Sequence, residues 1–418
     1  MIGRGVVRVP GDKSISHRAL ILGALSSGEA RIDGILQSAD VQCTASVLRS
    51  LGAAIPDLSS EMRFAGLGLR GLSEPGSPLY AGNSGTTARL VAGVVAGYPF
   101  SSRFEGDASL SRRPMKRIAE PLSAMGARFE FAREDGLPMT VHGSKLSGIV
   151  WNTRAASAQT KSAILLAGLV AGVQVSVRES RKSRDHTERM LASLGAPVTS
   201  DELNAILSPV DSIAPLELAI PADPSSAAYF VALAVLTNTG EVVLPDVCLN
   251  RTRIGFLETL KAMGADIDCT DKVSVAGDSA ATVIARPSEL RSVDIEAHMI
   301  PSMIDELPLL ACVAAACDLD LEVRGASELR VKESDRIAAV VSNLRAIGAD
   351  AEELPDGFRV AGRRQRLAGR VVSGGDHRIA MSFGILAQLP GNAIEIDDPD
   401  CVQVSYPRFW ADLETMKR

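Results

Sequence analysis

The pattern Leu-x-x-(Leu/Met/Ile)-Gly-Ala occurs five times in this chain of 418 residues, at intervals of about 70 residues. The copies begin at Leu48, Leu122, Leu191, Leu260 and Leu344. A sixth copy begins at Leu413 and is truncated before its Gly. Self-similarity at a nearly fixed interval is the signature of a repeated architecture. The chain is therefore predicted to contain six units of the same local structure.

Each copy predicts the end of an amphipathic helix, because Gly adopts the left-handed C′ conformation at low cost. Helix start signals precede some copies, at Ser334-Asp335-Arg336 and at Asp185-His186-Thr187-Glu188, which has the spacing of a capping box. Alternating segments such as ARFEF after Met125 predict half-buried strands behind the helices. Each unit is predicted to be βαβ-type, with two helices and about four strands.

Units of this length exceed the roughly 20–45 residues of typical solenoid repeats, so we expect two domains of three units each. The predicted fold is α/β, with apolar helices inside each domain and sheets outside, a two-domain inside-out α/β barrel. The segments at 9–14 and 221–229 contain Pro and Ser, and we expect the chain to pass from one domain to the other there. They predict a first domain at 13–225 and a second at 1–12 with 226–418. The active site is expected in the cleft between them.

Charge and composition exclude several classes of partner. A net charge of −6, without runs of like charge, argues against binding nucleic acid or an anionic membrane. The near-apolar stretch at 163–177 is shorter than the ~20 residues of a membrane span. The N-terminal residues lack a signal-peptide pattern. The six cysteines form no CxxC pair and are predicted to be small core residues in a reducing compartment, so we expect a cytoplasmic protein.

Polar clusters at predicted helix starts are the candidate sites. Lys13, Ser14 and Arg18 could hold an anion at a helix N-terminus, or lie on a capped surface helix. The segment at 82–89 could be an anion-binding nest or a plain turn. Adjacent Arg112 and Arg113 would place two guanidinium groups near a positive helix end, which favours an anionic ligand.

Four further clusters carry carboxylates or hydroxyls. Residues 156–162 open an apolar helix, where capping is the preferred interpretation. Asp305 and Glu306 head another apolar helix, as a general base of raised pKa or as charges that stabilise the helix dipole. The segments 331–336 and 374–381 each combine a cation, a carboxylate and a helix start, and a charged solvated helix end is the alternative. No metal-ligand spacing or nucleotide fingerprint is present, so no metal and no cofactor are expected. Together the clusters favour group transfer on small phosphorylated or carboxylated substrates.

Eight strings make the resemblance specific: PGDKSISHR, GNSGTTAR, GDASLSRRPM, ASAQTKSA, SRDHTE, DELPLLA, VKESDRI and GGDHRIAMSF. With these strings in this order, the chain resembles the 3-phosphoshikimate 1-carboxyvinyltransferase (5-enolpyruvylshikimate-3-phosphate synthase) family over its whole length. The resemblance implies two domains of three repeats. It also implies transfer of the enolpyruvyl group of phosphoenolpyruvate to the 5-hydroxyl of 3-phosphoshikimate, a step of the shikimate pathway to chorismate and aromatic amino acids. A monomer that binds only these small molecules is expected.

The resemblance also implies roles for individual residues. The catalytic groups would be Asp305 as proton acceptor, with Lys13 and Glu333 as candidates for protonating the methylene carbon. 3-Phosphoshikimate would contact Lys13, Ser14, Arg18, Ser157, Ala158, Gln159, Arg184, Asp305 and Lys332. Phosphoenolpyruvate would contact Lys13, Gly85, Arg113, Gln159, Glu333, Arg336 and Arg378. The small Gly85 would leave room for the inhibitor glyphosate.

Three other functions compete with this one. UDP-N-acetylglucosamine enolpyruvyl transferases share the fold but use a loop Cys, and residues 100–115 contain none. Their Lys-Asn pair is replaced here by Lys13-Ser14. A repeat-built, non-catalytic binding protein around nucleic acid would need a basic inner face. An inactive homologue would need a lost site residue.

Overall fold

A computed structural model describes residues 5–237, 240–275, 277–362 and 366–416. In these ranges the α-helices, numbered α1–α13 in chain order, are Lys13–Leu25, Ala39–Ser50, Gly85–Ala96, Lys116–Met125, Ala158–Ala171, His186–Ser193, Pro224–Leu236, Gly255–Ala262, Ile300–Met303, Leu307–Ala316, Arg336–Ala346, His377–Leu386 and Phe409–Thr415. The strands, numbered β1–β20, are Gly5–Val6, Ser27–Asp33, Glu61–Leu67, Leu79–Tyr80, Ser101–Glu105, Arg128–Phe131, Met139–His142, Ile149–Asn152, Val175–Arg178, Val198–Ser200, Asn204–Leu207, Glu217–Ala219, Val242–Cys248, Ile267–Val275, Asp278–Ala285, Leu321–Val323, Asp350–Leu354, Gly357–Ala361, Ala368–Val371 and Ala393–Ile396.

The strands of the described residues form six sheets, each accompanied by two of the longer helices. Their strand orders are β12-β2-β3, β4-β5-β7-β6, β10-β11-β9-β8, β1-β13-β15-β14, β16-β18-β17 and β19-β20. Parallel pairs join β4 to β5, β8 to β9 and β19 to β20, and α3, α5 and α12 are the crossovers. The predicted βαβ arrangement is thus found in three of the six sheets of the described residues, whereas β16-β18-β17 is antiparallel throughout. About four strands were predicted for each unit, but the sheets contain two to four. The number of strands depends on pairing between distant segments, which local patterns do not reveal.

The chain divides into two compact units. Unit 1 comprises Met1–Pro10, Pro221–Val273 and Ser279–Arg418, and unit 2 comprises Gly11–Ile220 and Ser274–Asp278. In unit 2, helix α3 packs against α1 and α5; in unit 1, α10 and α12 pack against each other and against α7. These helices are buried almost throughout, since they are apolar on every face. Strands such as β2 and β3 alternate exposed and buried residues, so each unit has helices inside and sheets outside.

The five repeated glycines end helices as predicted. Gly52, Gly126, Gly195, Gly264 and Gly348 all have positive φ, between +80° and +121°. They follow α2, α4, α6, α8 and α11, and the last four are followed by β6, β10, β14 and β17, so the strand predicted after Met125 is present. A left-handed residue reverses the chain after the helix, and Gly adopts it without a Cβ clash.

Two local predictions are wrong. Asp185 occupies the N-cap of α6 but forms no capping hydrogen bond with its side chain. Its carboxylate pairs with Arg189 one turn along the same helix, and Glu188 pairs with Lys161 of α5, so one local and one long-range ion pair replace the capping box. Of the six cysteines, all free thiols, only Cys248 and Cys312 are fully buried. Across the described ranges, no helix combines the length and apolar character that a bilayer crossing requires.

Candidate functional site

In unit 2, the predicted site residues form the Lys13 group: Lys13, Ser14, Arg18, Gly85, Arg113, Ser157, Ala158, Gln159 and Arg184. Its first members start α1, whose N-cap Asp12 accepts a 2.8 Å hydrogen bond from the Ile15 amide. Because this carboxylate occupies the helix N-terminus, the helix start is capped rather than open to an anion. Lys13 forms an ion pair with the largely buried Asp40 of α2, a partner that sequence reasoning missed.

Arg18 joins three helices. It donates to Ser14 O (2.9 Å) in α1, to Ser162 Oγ (2.8 Å) in α5 and to Thr187 Oγ1 (2.7 Å) in α6. Arg184 Nη1 approaches Ser14 Oγ to 3.5 Å. The predicted residues of three sequence motifs are therefore connected through Arg18 and Ser14.

A second part of the Lys13 group is built around Arg89, which the sequence analysis did not assign to the site. Arg89 Nη1 donates to Gln159 Oε1 (2.5 Å), and Nη2 donates to Pro114 O (3.0 Å). A Cβ added to Gly85 would lie 3.0 Å from Arg89 Nη1 and 3.5 Å from Arg113 Nη1. Arg89 therefore brings the starts of α3 and α5 and the segment before α4 together.

The hydroxyl and guanidinium groups of this part have defined local roles. Ser157 caps α5 by accepting from Thr160 N (3.3 Å), which confirms the capping interpretation. Arg113 is buried and donates to Asn83 Oδ1 (2.6 Å), whereas Arg112 is exposed. The two adjacent arginines thus differ, and of this pair only Arg113 lies beside Gly85, together with Arg89.

In unit 1, the predicted residues form the Asp305 group: Asp305, Lys332, Glu333, Arg336 and Arg378. Asp305 Oδ1 accepts from Lys332 Nζ (3.2 Å) and from Arg336 Nη1 (3.0 Å). Arg336 also donates to Glu333 Oε2 (2.6 Å). The two cations therefore fix the position of the Asp305 carboxylate just before α10.

Asp376 connects both arginines of the Asp305 group. It receives hydrogen bonds from Arg336 Nε (2.8 Å) and Nη2 (3.2 Å), and it caps α12 by accepting from Arg378 N (2.9 Å). Burial opposes the charge on Arg336, but Asp376, Glu333 and Asp305 raise its pKa well above the usual value. Burial likewise opposes the charge on Arg378, and Tyr229 is the first of the groups that raise its pKa. Both guanidinium groups therefore stay cationic.

His17 is a buried link between α1 and the start of α3. Its Nδ1 lies 2.7 Å from Thr44 Oγ1, which lies 2.6 Å from Thr87 Oγ1, which donates to Ser84 Oγ at 2.7 Å. Among the described residues, His17 Nε2 is buried and has no hydrogen-bond partner. Burial, with Lys13 and Arg18 nearby, lowers the pKa of His17 well below 6.5. The native imidazole is neutral.

Replacing His17 by Asn should therefore change how stability depends on pH. Below pH 6.5 the imidazole of His17 is protonated in the unfolded chain but stays neutral in the native protein, because its native pKa is lower. The wild type therefore loses stability as the pH falls from 6.5 towards the native pKa. We expect the wild type to lose about 1.4 kcal/mol per pH unit relative to His17→Asn in this window. Urea unfolding of both proteins between about pH 7.5 and pH 5 measures this difference. Parallel stability curves would contradict it.

The chain is similar to known proteins over almost its whole length. The sequence profile described as EPSP synthase (3-phosphoshikimate 1-carboxyvinyltransferase) matches residues 3–413. The 3-phosphoshikimate 1-carboxyvinyltransferase of Sulfurihydrogenibium sp. (strain YO3AOP1) is 46% identical over 99% of this chain and 97% of its own. An EPSP synthase structure from Acinetobacter baumannii superposes with a TM-score of 0.86 at 37% identity, covering 99% of this chain and 96% of that one.

A more distant structure shows the fold alone. The enolpyruvyl transferase NikO from Streptomyces tendae gives a TM-score of 0.78 at 16% identity, over 100% of this chain and 95% of that chain. The family match and the curated relatives do not favour the UDP-N-acetylglucosamine enzyme or a non-catalytic binding protein. The chain belongs to the EPSP synthase (3-phosphoshikimate 1-carboxyvinyltransferase) family.

Proposed function

We propose that this protein transfers the enolpyruvyl group of phosphoenolpyruvate to the 5-hydroxyl of 3-phosphoshikimate and releases phosphate. The observation that carries the proposal is the Asp305 carboxylate held between Lys332 and Arg336, where it would accept the proton of the 5-hydroxyl. Residues 13–225, and residues 1–12 with 226–418, would each supply one of the two residue groups to this reaction.

The substrates would be held by cations and hydroxyls. We assign 3-phosphoshikimate to Lys13, Ser14, Arg18, Ser157, Ala158, Gln159, Arg184, Asp305 and Lys332. We assign phosphoenolpyruvate to Lys13, Gly85, Arg113, Gln159, Glu333, Arg336 and Arg378. Arg336 already donates four hydrogen bonds to carboxylates, so an arriving anion would have to share or displace one of them.

The chemistry needs positioning, removal of a proton from the 5-hydroxyl, and addition and later removal of a proton at the methylene carbon. Asp305 would remove the proton of the 5-hydroxyl while the hydroxyl oxygen forms a bond to the enol carbon of phosphoenolpyruvate. Glu333 or Lys13 would protonate the methylene carbon to a methyl group. The same side chain, now deprotonated, would take a proton back from this methyl carbon as the C–O bond to phosphate breaks and the double bond re-forms. The enol carbon becomes cationic in the transition state, so fixed charges around it lower the barrier.

Phosphate release from phosphoenolpyruvate tests the proposal, with 3-phosphoshikimate or UDP-N-acetylglucosamine as acceptor. We expect release with 3-phosphoshikimate alone. Release with the second acceptor alone would overturn the assignment, and release with neither would indicate an inactive homologue. A monomeric state and a cytoplasmic location also stay predictions; sedimentation of the purified chain tests the first.

Gly85→Ala should weaken the binding of phosphoenolpyruvate. The added Cβ would meet Arg89 and Arg113, while the position needs no left-handed backbone. We expect the KM for phosphoenolpyruvate to rise about tenfold, with the free energy of unfolding changed by less than about 0.5 kcal/mol. Glyphosate should inhibit the wild type competitively with phosphoenolpyruvate, and the variant less.

Gly76→Ala is the matched control, because a Cβ there meets nothing within 4 Å. Initial-rate kinetics on the two variants measure both effects. An unchanged KM in Gly85→Ala, or inhibition that is not competitive with phosphoenolpyruvate, would contradict the prediction.

A further inference from the structure

A cluster of three ionised side chains lies in the interior of unit 2. Lys161 Nζ is 2.6 Å from Glu179 Oε2 and 2.8 Å from Glu188 Oε1, and all three side chains are at most 2% exposed. Glu179 also accepts a hydrogen bond from Ser183 Oγ. We name Lys161, Glu179 and Glu188 the buried ionic cluster.

The energetics of this cluster do not favour a role in stability. Burial penalises the Lys161 ammonium, but Glu188 and Glu179 outweigh that penalty and raise its pKa, so it stays charged. Apolar residues of similar volume are often as stable as a buried ion pair, or more so, because removing charges from water costs several kcal/mol per ion. What such a cluster does provide is directional contacts among the segments that it joins.

Those segments carry residues assigned to 3-phosphoshikimate. Lys161 lies in the first turns of α5, directly after Ser157, Ala158 and Gln159. Glu179 follows β9 and, through Ser183, holds the segment that bears Arg184. Glu188 lies in α6 beside Thr187, which accepts a hydrogen bond from Arg18.

We propose that the buried ionic cluster is a positioning device that sets Arg184 and Arg18 relative to the first turn of α5, and thereby determines the affinity for 3-phosphoshikimate. The inference rests on the proposed function. It goes beyond it, because none of the three residues is assigned to bind a substrate. Of the residues assigned to phosphoenolpyruvate, Gln159 lies in the first turn of α5, whereas Gly85 and Arg113 lie on other segments. The effect should therefore fall mainly on 3-phosphoshikimate.

The test is the triple variant Lys161→Met, Glu179→Gln, Glu188→Gln, which removes all three charges together and leaves none unpaired. Calorimetry with 3-phosphoshikimate should give a Kd about tenfold higher than the wild type. The KM for phosphoenolpyruvate should change less than about threefold, and thermal unfolding should show a cooperative transition. Tyr98→Phe is the matched control, since it removes a buried 2.9 Å hydrogen bond to Leu69 O elsewhere in unit 2.

A folded triple variant that binds 3-phosphoshikimate like the wild type overturns the inference, as does an equal loss for both substrates. If the triple variant does not fold, Ser183→Ala decides, because it keeps the charges and removes one link to the Arg184 segment. It should weaken binding about threefold, and unchanged affinity overturns the inference. If the wild type binds 3-phosphoshikimate more tightly than the triple variant but releases no phosphate from phosphoenolpyruvate, the inference is supported and the proposed function is refuted. A wild type that does not bind 3-phosphoshikimate overturns the inference.

Discussion

Replacement of Asp305 by Asn is expected to lower kcat for phosphate release by about 10³-fold. Asn has the shape of Asp and can still accept from Lys332 and Arg336, but it cannot take the proton of the 5-hydroxyl. Because the cations that hold position 305 remain, the KM values for both substrates should change less than about threefold. Initial rates at saturating concentrations of both substrates measure the effect.

Asp294→Asn is the matched control, since Asp294 is an exposed carboxylate of the same unit. It should leave kcat unchanged. Glu333→Gln separates proton transfer at the methylene carbon from removal of the 5-hydroxyl proton: a loss comparable to that of Asp305→Asn would identify Glu333 as an acid in the same reaction. An Asp305→Asn variant that retains most of its turnover would show that the base is another group.

Replacement of Arg336 by Ala is expected to affect both stability and turnover. The guanidinium group, 1% exposed, is surrounded by Asp305, Glu333 and Asp376. Without it, carboxylates are left close together in a largely buried place, which costs about 3–5 kcal/mol of unfolding free energy. Turnover should fall at least about 10²-fold, because an anion-holding cation and the orientation of Asp305 are lost together. Urea unfolding and phosphate release measure the two effects.

The double variant Arg336→Ala, Asp376→Asn distinguishes the two causes. It removes one surplus carboxylate, and Asn still caps α12. We expect the double variant to regain part of the lost stability and none of the turnover. Recovery of turnover along with stability would mean that Arg336 serves the fold alone.

Local features of the fold followed from the sequence because their causes are local. Gly264 must end α8, since the left-handed turn there suits Gly, and the apolar run of α5 requires burial on every side. The capping box at Asp185 failed because Lys161 attracts Glu188 from 27 residues away in the chain. A short pattern carries no information about such a partner.

The same distinction between local and distant causes applies to the residues of the candidate site. Motifs identified Lys13, Arg336 and Gln159, and the segments 82–89 and 374–381 also contain Arg89 and Asp376, but the motifs did not show which of these residues pair with one another. Asp40, Asp376 and Arg89 meet these residues across 27, 40 and 70 positions of chain. Contacts of this range depend on how helices pack, which leaves no periodic or spaced pattern in the sequence.

The capping residues of the helices have a consequence for anion recognition. Asp12, Asp335 and Asp376 cap α1, α11 and α12 with carboxylates, which neutralise the positive ends of these helices. Ser84 and Ser157 cap α3 and α5 without charge. The peptide dipoles of α3 and α5 therefore remain uncompensated beside Gly85 and Gln159. For the anionic substrates assigned to these residues, part of the attraction would thus come from the backbone and would remain whichever single arginine is lost.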